Sequence, residues 1–326
     1  MGIDSDVPIA DTRTELKNAE TIEERAKIFG RRYAQYDNYV PFSALAYLPQ
    51  NTAAKTNGCS KLLYMIATNA TAADVEDRIA SHPEEVHIVS NQKWTALHML
   101  CVRGSVPRSV FEPKSESRAR HETLVKIASL LIQAGANIDA QDAEGFTPLM
   151  RVTQTSGPIE LFNILMAQSA DVNLKNNDGL TALHLYYGGK EMSHMYTQPI
   201  LDADFDINSV TNKGESVLLV LVQMYSQSSH RTKYMQHIQS VIGRGIYVNG
   251  QNVDGNTALH VVHKHCSEVV QLLLESGADP NIRNNKGKTP IMQCDPDYND
   301  SHDKVIGLLL KAGAIDRPHR DCCSLL

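Results

Sequence analysis

The phrase "DAEGFTPLM" (142–150) returns as "NNDGLTALH" (176–184), "NVDGNTALH" (252–260) and "NNKGKTPIM" (284–292), and a chain that repeats itself at this spacing has few folds open to it. Poorer copies stand at "KTNGCSKLL" (55–63), "SNQKWTALH" (90–98) and "TNKGESVLL" (211–219). Each copy is followed by an apolar stretch and a closing phrase: "QAGANID", "AQSADVN", "DADFDIN", "GRGIYVN", "ESGADPN" or "KAGAID". The anchor hydroxyls are Ser60, Thr95, Thr147, Thr181, Ser216, Thr257 and Thr289, at intervals of 35, 52, 34, 35, 41 and 32 residues. A period of about 33 with two insertions accounts for all six intervals.

The repeated positions have physical roles. Thr at the anchor caps a helix, and Pro after it fits a first turn whose N–H needs no partner. Gly in "AGA" or "SGA" supplies the left-handed residue that ends the second helix. Val269, Val270, Leu272, Leu273 and Leu274 give that second helix an apolar face too broad for water, which stacked neighbours can bury. The pattern resembles the ankyrin repeat and covers about residues 55–316. The resemblance implies an all-α ankyrin-repeat solenoid of about seven helix-turn-helix repeats with hairpin loops, acting as a scaffold that binds a protein partner on its concave surface.

The organisation expected is an N-terminal helical cap (1–54), the repeats (55–316) and a tail (317–326). "TIEE" at 21–24 is a capping box opening an amphipathic helix through about Tyr36. The insertions, 105–122 and 225–235, read as polar loops. In the fourth repeat Pro199, Asp204 and Phe205 break the pattern, predicting a strained helix end; Tyr247 replaces the usual Asp in the fifth. A weak seam between these two repeats follows. Repeats six and seven match best and are expected to be the most resistant to opening.

Composition bounds the function. The net charge of −6 and pI near 6.1 argue against nucleic acid, which demands a basic surface. The longest apolar run, 217–222, is far short of a bilayer span. The first fifteen residues lack the basic start and apolar core of a secretory signal, and Asp6 departs from the myristoylation pattern at Gly2. Cysteines at 59, 101, 266, 294, 322 and 323 have no framework spacing and read as reduced cytosolic thiols.

Several constellations invite chemistry and lack its parts. "GKT" (287–289) has Ile282 where a phosphate loop needs Gly, and "DPDYND" (295–300) lacks the Gly and Glu of a calcium loop. "HVVHKHC" (260–266) is the strongest metal candidate. It supports the alternative reading, a regulatory subunit or zinc-dependent enzyme, although His260 is also the repeat's own structural histidine. No enzyme, cofactor or resident metal is expected.

The tail ends Cys323-Ser-Leu-Leu326, which fits a prenylation box favouring geranylgeranyl; Cys322 is a palmitoylation candidate supplying the second signal that one lipid needs. An inert tail and a C-terminal strand for a PDZ groove are the competing readings. Expected partners are a protein and, through the lipidated tail, a cytosolic membrane surface. The protein-binding row is read from the residue before each anchor: Trp94, Phe146 and Leu180, expected to be exposed at successive turn tips, with Glu144, Arg151, Asn177 and Asp178 as a polar rim.

Overall fold

A computed structural model describes residues 60–67, 70–104, 114–155, 158–188, 200, 203–227, 231–262, 266–293 and 300–315. The expected cap at 1–54 and the tail at 317–326 lie outside the described residues. Each anchor hydroxyl precedes a first helix or single helical turn: α1 (Lys61–Ala67), α3 (Ala96–Gly104), α5 (Pro148–Gln154), α7 (Ala182–Gly188), α8 (Val217–Gln227), a 3₁₀ turn (Ala258–His260) and α11 (Pro290–Gln293). Second helices return beside them: α2 (Ala72–Ser81), α4 (Lys114–Gln133), α6 (Ile159–Ala167), α9 (Arg231–Gly243), α10 (Ser267–Glu275) and α12 (Asp300–Lys311). Among the described residues there is no strand, only an isolated bridge between Val210 and Ser216.

The described residues fall into two compact units, one within Met1–Ala143 and Thr147–Ala170, the other within Glu144–Phe146 and Asp171–Leu326. In the first, α1, α3 and α5 pack in sequence as one layer while α2, α4 and α6 form the other. Leu62, Leu100, Leu124, Leu131, Leu149 and Phe162 fill it, all fully buried. Buried Glu85 accepts the Leu62 N–H at 2.8 Å and pairs with Arg78, so an otherwise orphaned donor at the start of α1 is satisfied. In the second unit α7 packs on α8, α8 on α9, and α10 on α12. Apolar burial is the common cause, since a lone two-helix repeat leaves one face of each helix wet.

Both insertions differ from the expected loops. In the first, helix α4 begins at Lys114; residues 105–113 lie outside the description. The second extends α8 to Gln227 and starts α9 at Arg231, with only 228–230 undescribed between them. Tyr225 explains why: it is 1% exposed and its hydroxyl donates to Glu268 Oε2 at 3.2 Å, tying the added turn to α10.

The strain is also elsewhere than expected. Asp204 does not adopt positive φ, and Pro199 lies outside the described residues; among the described residues the non-glycine positions that do are Lys93 (φ 57°) and Ser169 (φ 60°), which occupy slots filled by glycine in sister repeats. In the sixth repeat, one of the best sequence matches, the first helix is only a three-residue 3₁₀ turn. The consensus residues of repeats six and seven specify the hairpin, which is formed in both, rather than helix length; in the seventh the Thr289 hydroxyl is buried without a hydrogen-bond partner. Tyr247 lacks the side-chain turn that Asp206 and Asp279 give their repeats, accepting from Asn208 and Asn281 N–H at 3.0 and 2.8 Å. Even so, its own N–H donates to Asn208 Oδ1 at 2.8 Å, so the fourth and fifth repeats stay bonded there.

Candidate functional site

Each hairpin is built from the inside out. In the fourth repeat Asn176 Oδ1 accepts the N–H groups of Asp178 (3.0 Å) and Leu180 (2.8 Å), and the Asn176 N–H donates to the Leu180 carbonyl (2.9 Å). Gly179 closes the turn at φ 78°. A Cβ there would stand 2.5 Å from the Asn212 nitrogen, so the next hairpin requires glycine at this position.

The hairpins are then linked tip to tip. In the second unit Asn177 N–H donates to Glu144 C=O (3.0 Å), and Asn212 to Asp178, Val253 to Lys213, and Asn285 to Asp254, each at 2.9 Å. A second row binds the hairpin bases: Asn173, Asn208, Asn249 and Asn281 each accept a backbone N–H from the next repeat at 2.8 Å, those of Asp206, Tyr247, Asp279 and Ile315. Backbone groups are consumed by these ladders. What remains for recognition is side chains, and Glu144, Asn177, Asp178, Asn212, Lys213, Asp254, Asn285 and Lys286 are all exposed.

Histidines join the ladders to the helices. Thr257 N–H donates to His260 Nδ1 (3.1 Å), which makes that nitrogen an acceptor and places the proton on Nε2, 3.0 Å from the Lys288 carbonyl that accepts it. His184 repeats this arrangement between Thr181 and the Glu215 carbonyl, at 3.4 and 3.2 Å. Burial, opposed by the bond to Glu215 and reinforced by nearby Lys175, pushes the His184 imidazole down to about 4. Burial lowers His260 as well. With both ring nitrogens engaged, His260 holds the repeat together and would have to break a bond to take up a metal. His263 and His265 lie outside the described residues, and Cys266 is fully buried, its thiol 3.7 Å from the Ser226 hydroxyl. Among the described residues no three His, Cys, Asp or Glu side chains could jointly hold a metal ion.

The row expected at the turn tips is corrected. Trp94 and Phe146 are each only 7% exposed, and Leu180 is half-buried. The Trp94 ring lies under the Arg151 guanidinium, whose Cζ is 5.2 Å from its centroid. Arg151 is therefore not a rim residue: it is 3% exposed and donates from Nε (3.0 Å) and Nη2 (2.5 Å) to Asp142 Oδ2, itself in a residue only 4% exposed. Burial of a large ring is favourable wherever a neighbour can cover it, and a stacked guanidinium does so. Glu144, Asn177 and Asp178 keep their expected exposure. The sequence reading missed Lys213, Asp254 and Lys286, although a signal was present: each immediately precedes the turn glycine.

A profile of the ankyrin repeat matches residues 254–285. Among solved structures, the ankyrin repeat domain of Bcl-3 matches with a TM-score of 0.56 at 24% identity, over 78% of this chain and all of that one. The human ASB11 ankyrin repeat domain matches at 0.55 and 19%, over 80% of this chain and all of its own. The fold is an ankyrin-repeat solenoid. Among curated relatives, mouse Rabankyrin-5 is 23% identical over 80% of this chain and 26% of its own length. The mouse B-cell lymphoma 3 protein homolog is 28% identical over 64% and 41%, and putative ankyrin repeat protein L92 of Acanthamoeba polyphaga mimivirus 32% over 49% and 38%. The chain thus spans less than half the length of these relatives. The ankyrin repeats imply a role in protein–protein interaction.

Proposed function

We propose that this protein is a non-enzymatic adaptor that binds a protein partner through the hairpin tips of its second unit and is held at a cytosolic membrane face by lipid on Cys323. The observation that carries the first part is the tip ladder. Asp178, Lys213, Asp254 and Lys286 are exposed at successive tips whose backbones are already bonded to one another. Charged side chains alternating in sign on a fixed backbone favour a partner with the complementary alternation, at little ordering cost. Asp178→Lys combined with Lys213→Glu is expected to weaken binding of the captured partner about tenfold or more while leaving the melting temperature unchanged. Unchanged affinity would remove these tips from the interface.

The tether rests on the sequence of the tail, with Cys323 in the prenylation position and Cys322 as the site of a second lipid. In a eukaryotic cell Cys323→Ser is expected to move the protein from the membrane to the soluble fraction. An intact mass showing an unmodified Leu326 on wild-type protein from the same cells would exclude the tether. Among the described residues no helix is long and apolar enough to cross a membrane.

A further inference from the structure

The hairpin tips of the second unit form one evenly stepped row. Asn212 N–H donates to Asp178 C=O, Val253 to Lys213 and Asn285 to Asp254, each at 2.9 Å, so the same bond sets the step from the fourth repeat through to the seventh. The charges carried on those steps are Asp178, Lys213, Asp254 and Lys286, all exposed. Among the described residues none of these carboxylates and ammonium groups forms an ion pair or a side-chain hydrogen bond. Charges fixed in place without an internal partner leave their pairing capacity to another molecule.

The order minus, plus, minus, plus is its own complement when reversed. If two copies face each other tip to tip across a two-fold axis, their repeats run in opposite directions. Asp178 then meets Lys286 of the second copy and Lys213 meets its Asp254, and the symmetry makes each contact twice. The register is selective. A shift of one repeat in one direction sets Lys213 against its own copy and Asp178 against Asp254. A shift in the other sets Asp254 against its own copy and Lys213 against Lys286. Repulsion therefore excludes the neighbouring registers while attraction fixes this one. The other hairpin charges do not oppose it. Lys175 and Arg283 stand three residues below the tips and donate to the Val210 and Gly287 carbonyls, at 2.8 and 2.6 Å. Before the anchors, Glu215 falls opposite Asn256 of the second copy and Lys288 opposite its Leu180, and Glu144 lies outside the four-tip register.

We infer that the partner these tips fit is a second copy of this chain, in an antiparallel tip-to-tip dimer. The inference rests on the tips being the binding surface, as proposed above. Tips alone make a small contact between exposed charges, so the dimer is weak and sensitive to salt. Sedimentation equilibrium of the full-length protein under reducing conditions tests it. At low salt a monomer–dimer equilibrium is expected, shifting to monomer at high salt. Lys286→Glu should raise the dissociation constant about tenfold or more, because it sets like charges together in two symmetry-related contacts. Adding Asp178→Lys to it reverses both members of each contact and should restore dimerisation to within about twofold. Glu76→Lys, added instead, restores the net charge away from the tips and should not rescue. A monomer at every concentration, a dimer indifferent to Lys286→Glu, or equal rescue by Glu76→Lys would overturn the inference. If the chain is monomeric while reversal at the tips weakens a captured protein, the tip site stands and the dimer falls. If the dimer behaves as expected while a captured protein is indifferent to the reversal, the dimer stands and the tips are not the site for that other protein.

Discussion

Arg151→Ala is expected to lower stability by about 3–5 kcal/mol, because it leaves the Asp142 carboxylate in a site that water does not reach. Asp142→Ala should cost a similar amount by removing the carboxylate that accepts two of the buried guanidinium's hydrogen bonds. The seventh repeat shows how the cost can be avoided. At the same two positions, nine residues apart, it has Asn284 and Gln293, and Asn284 Nδ2 donates to Gln293 Oε1 at 3.1 Å. The double variant Asp142→Asn/Arg151→Gln should therefore remain within about 1 kcal/mol of the wild type, since two uncharged amides replace two buried ions. A double-mutant cycle in urea measures the coupling. A small loss for the Asp142 variant, with the Arg151 variant and the double losing equally, would show that Arg151 acts mainly by covering Trp94. The fourth repeat has the unbalanced version of this pair: Leu185 follows Asn176 by nine residues, and Asn176 Nδ2 is buried without an acceptor.

The second large effect is acid sensitivity at His184. Its folded-state imidazole titrates at about 4, well below its ordinary value of 6.5. Between these values the unfolded chain binds the proton and the folded chain does not, so protons favour unfolding. The stabilisation is fully present above pH 6.5, declines as the pH falls through the window and is gone near pH 4. The shift corresponds to about 3 kcal/mol. Protonation would also put a hydrogen on Nδ1 facing the Thr181 N–H, two donors in opposition. Methionine occupies this position in the third and seventh repeats, as Met150 and Met292, making His184→Met the natural control. Urea midpoints measured from pH 7 to pH 4.5 should fall steeply for the wild type and less for the variant. Parallel curves would assign the acid sensitivity to other groups.

The repeat pattern made the architecture legible because its anchors cap first helices, its turn glycines leave room for the next hairpin, and its closing asparagines form hydrogen bonds between repeats. Three features were hidden for definite reasons. The inserted segments are polar in composition, yet Tyr225 and the apolar part of α4 make them helical through contacts distant in sequence. Trp94 reads as an exposed aromatic until Arg151, 57 residues later, is found across its ring. Arg151 in turn resembles a solvated rim charge, and only its bonds to Asp142 show that it is internal. Of the expected binding residues, the polar tips Glu144, Asn177 and Asp178 stayed outside because their own hairpins hold them there, while the aromatic ones were drawn in wherever a neighbour could bury them.

Hydrogen exchange on the complex with a captured partner tests the adaptor reading most directly. The tip backbones at 177–178, 212–213 and 253–254 should gain protection, together with 285–286, while Trp94 and the helix of Arg151 exchange as in the free protein. Protection confined to the second helices, with the tips unchanged, would contradict the account.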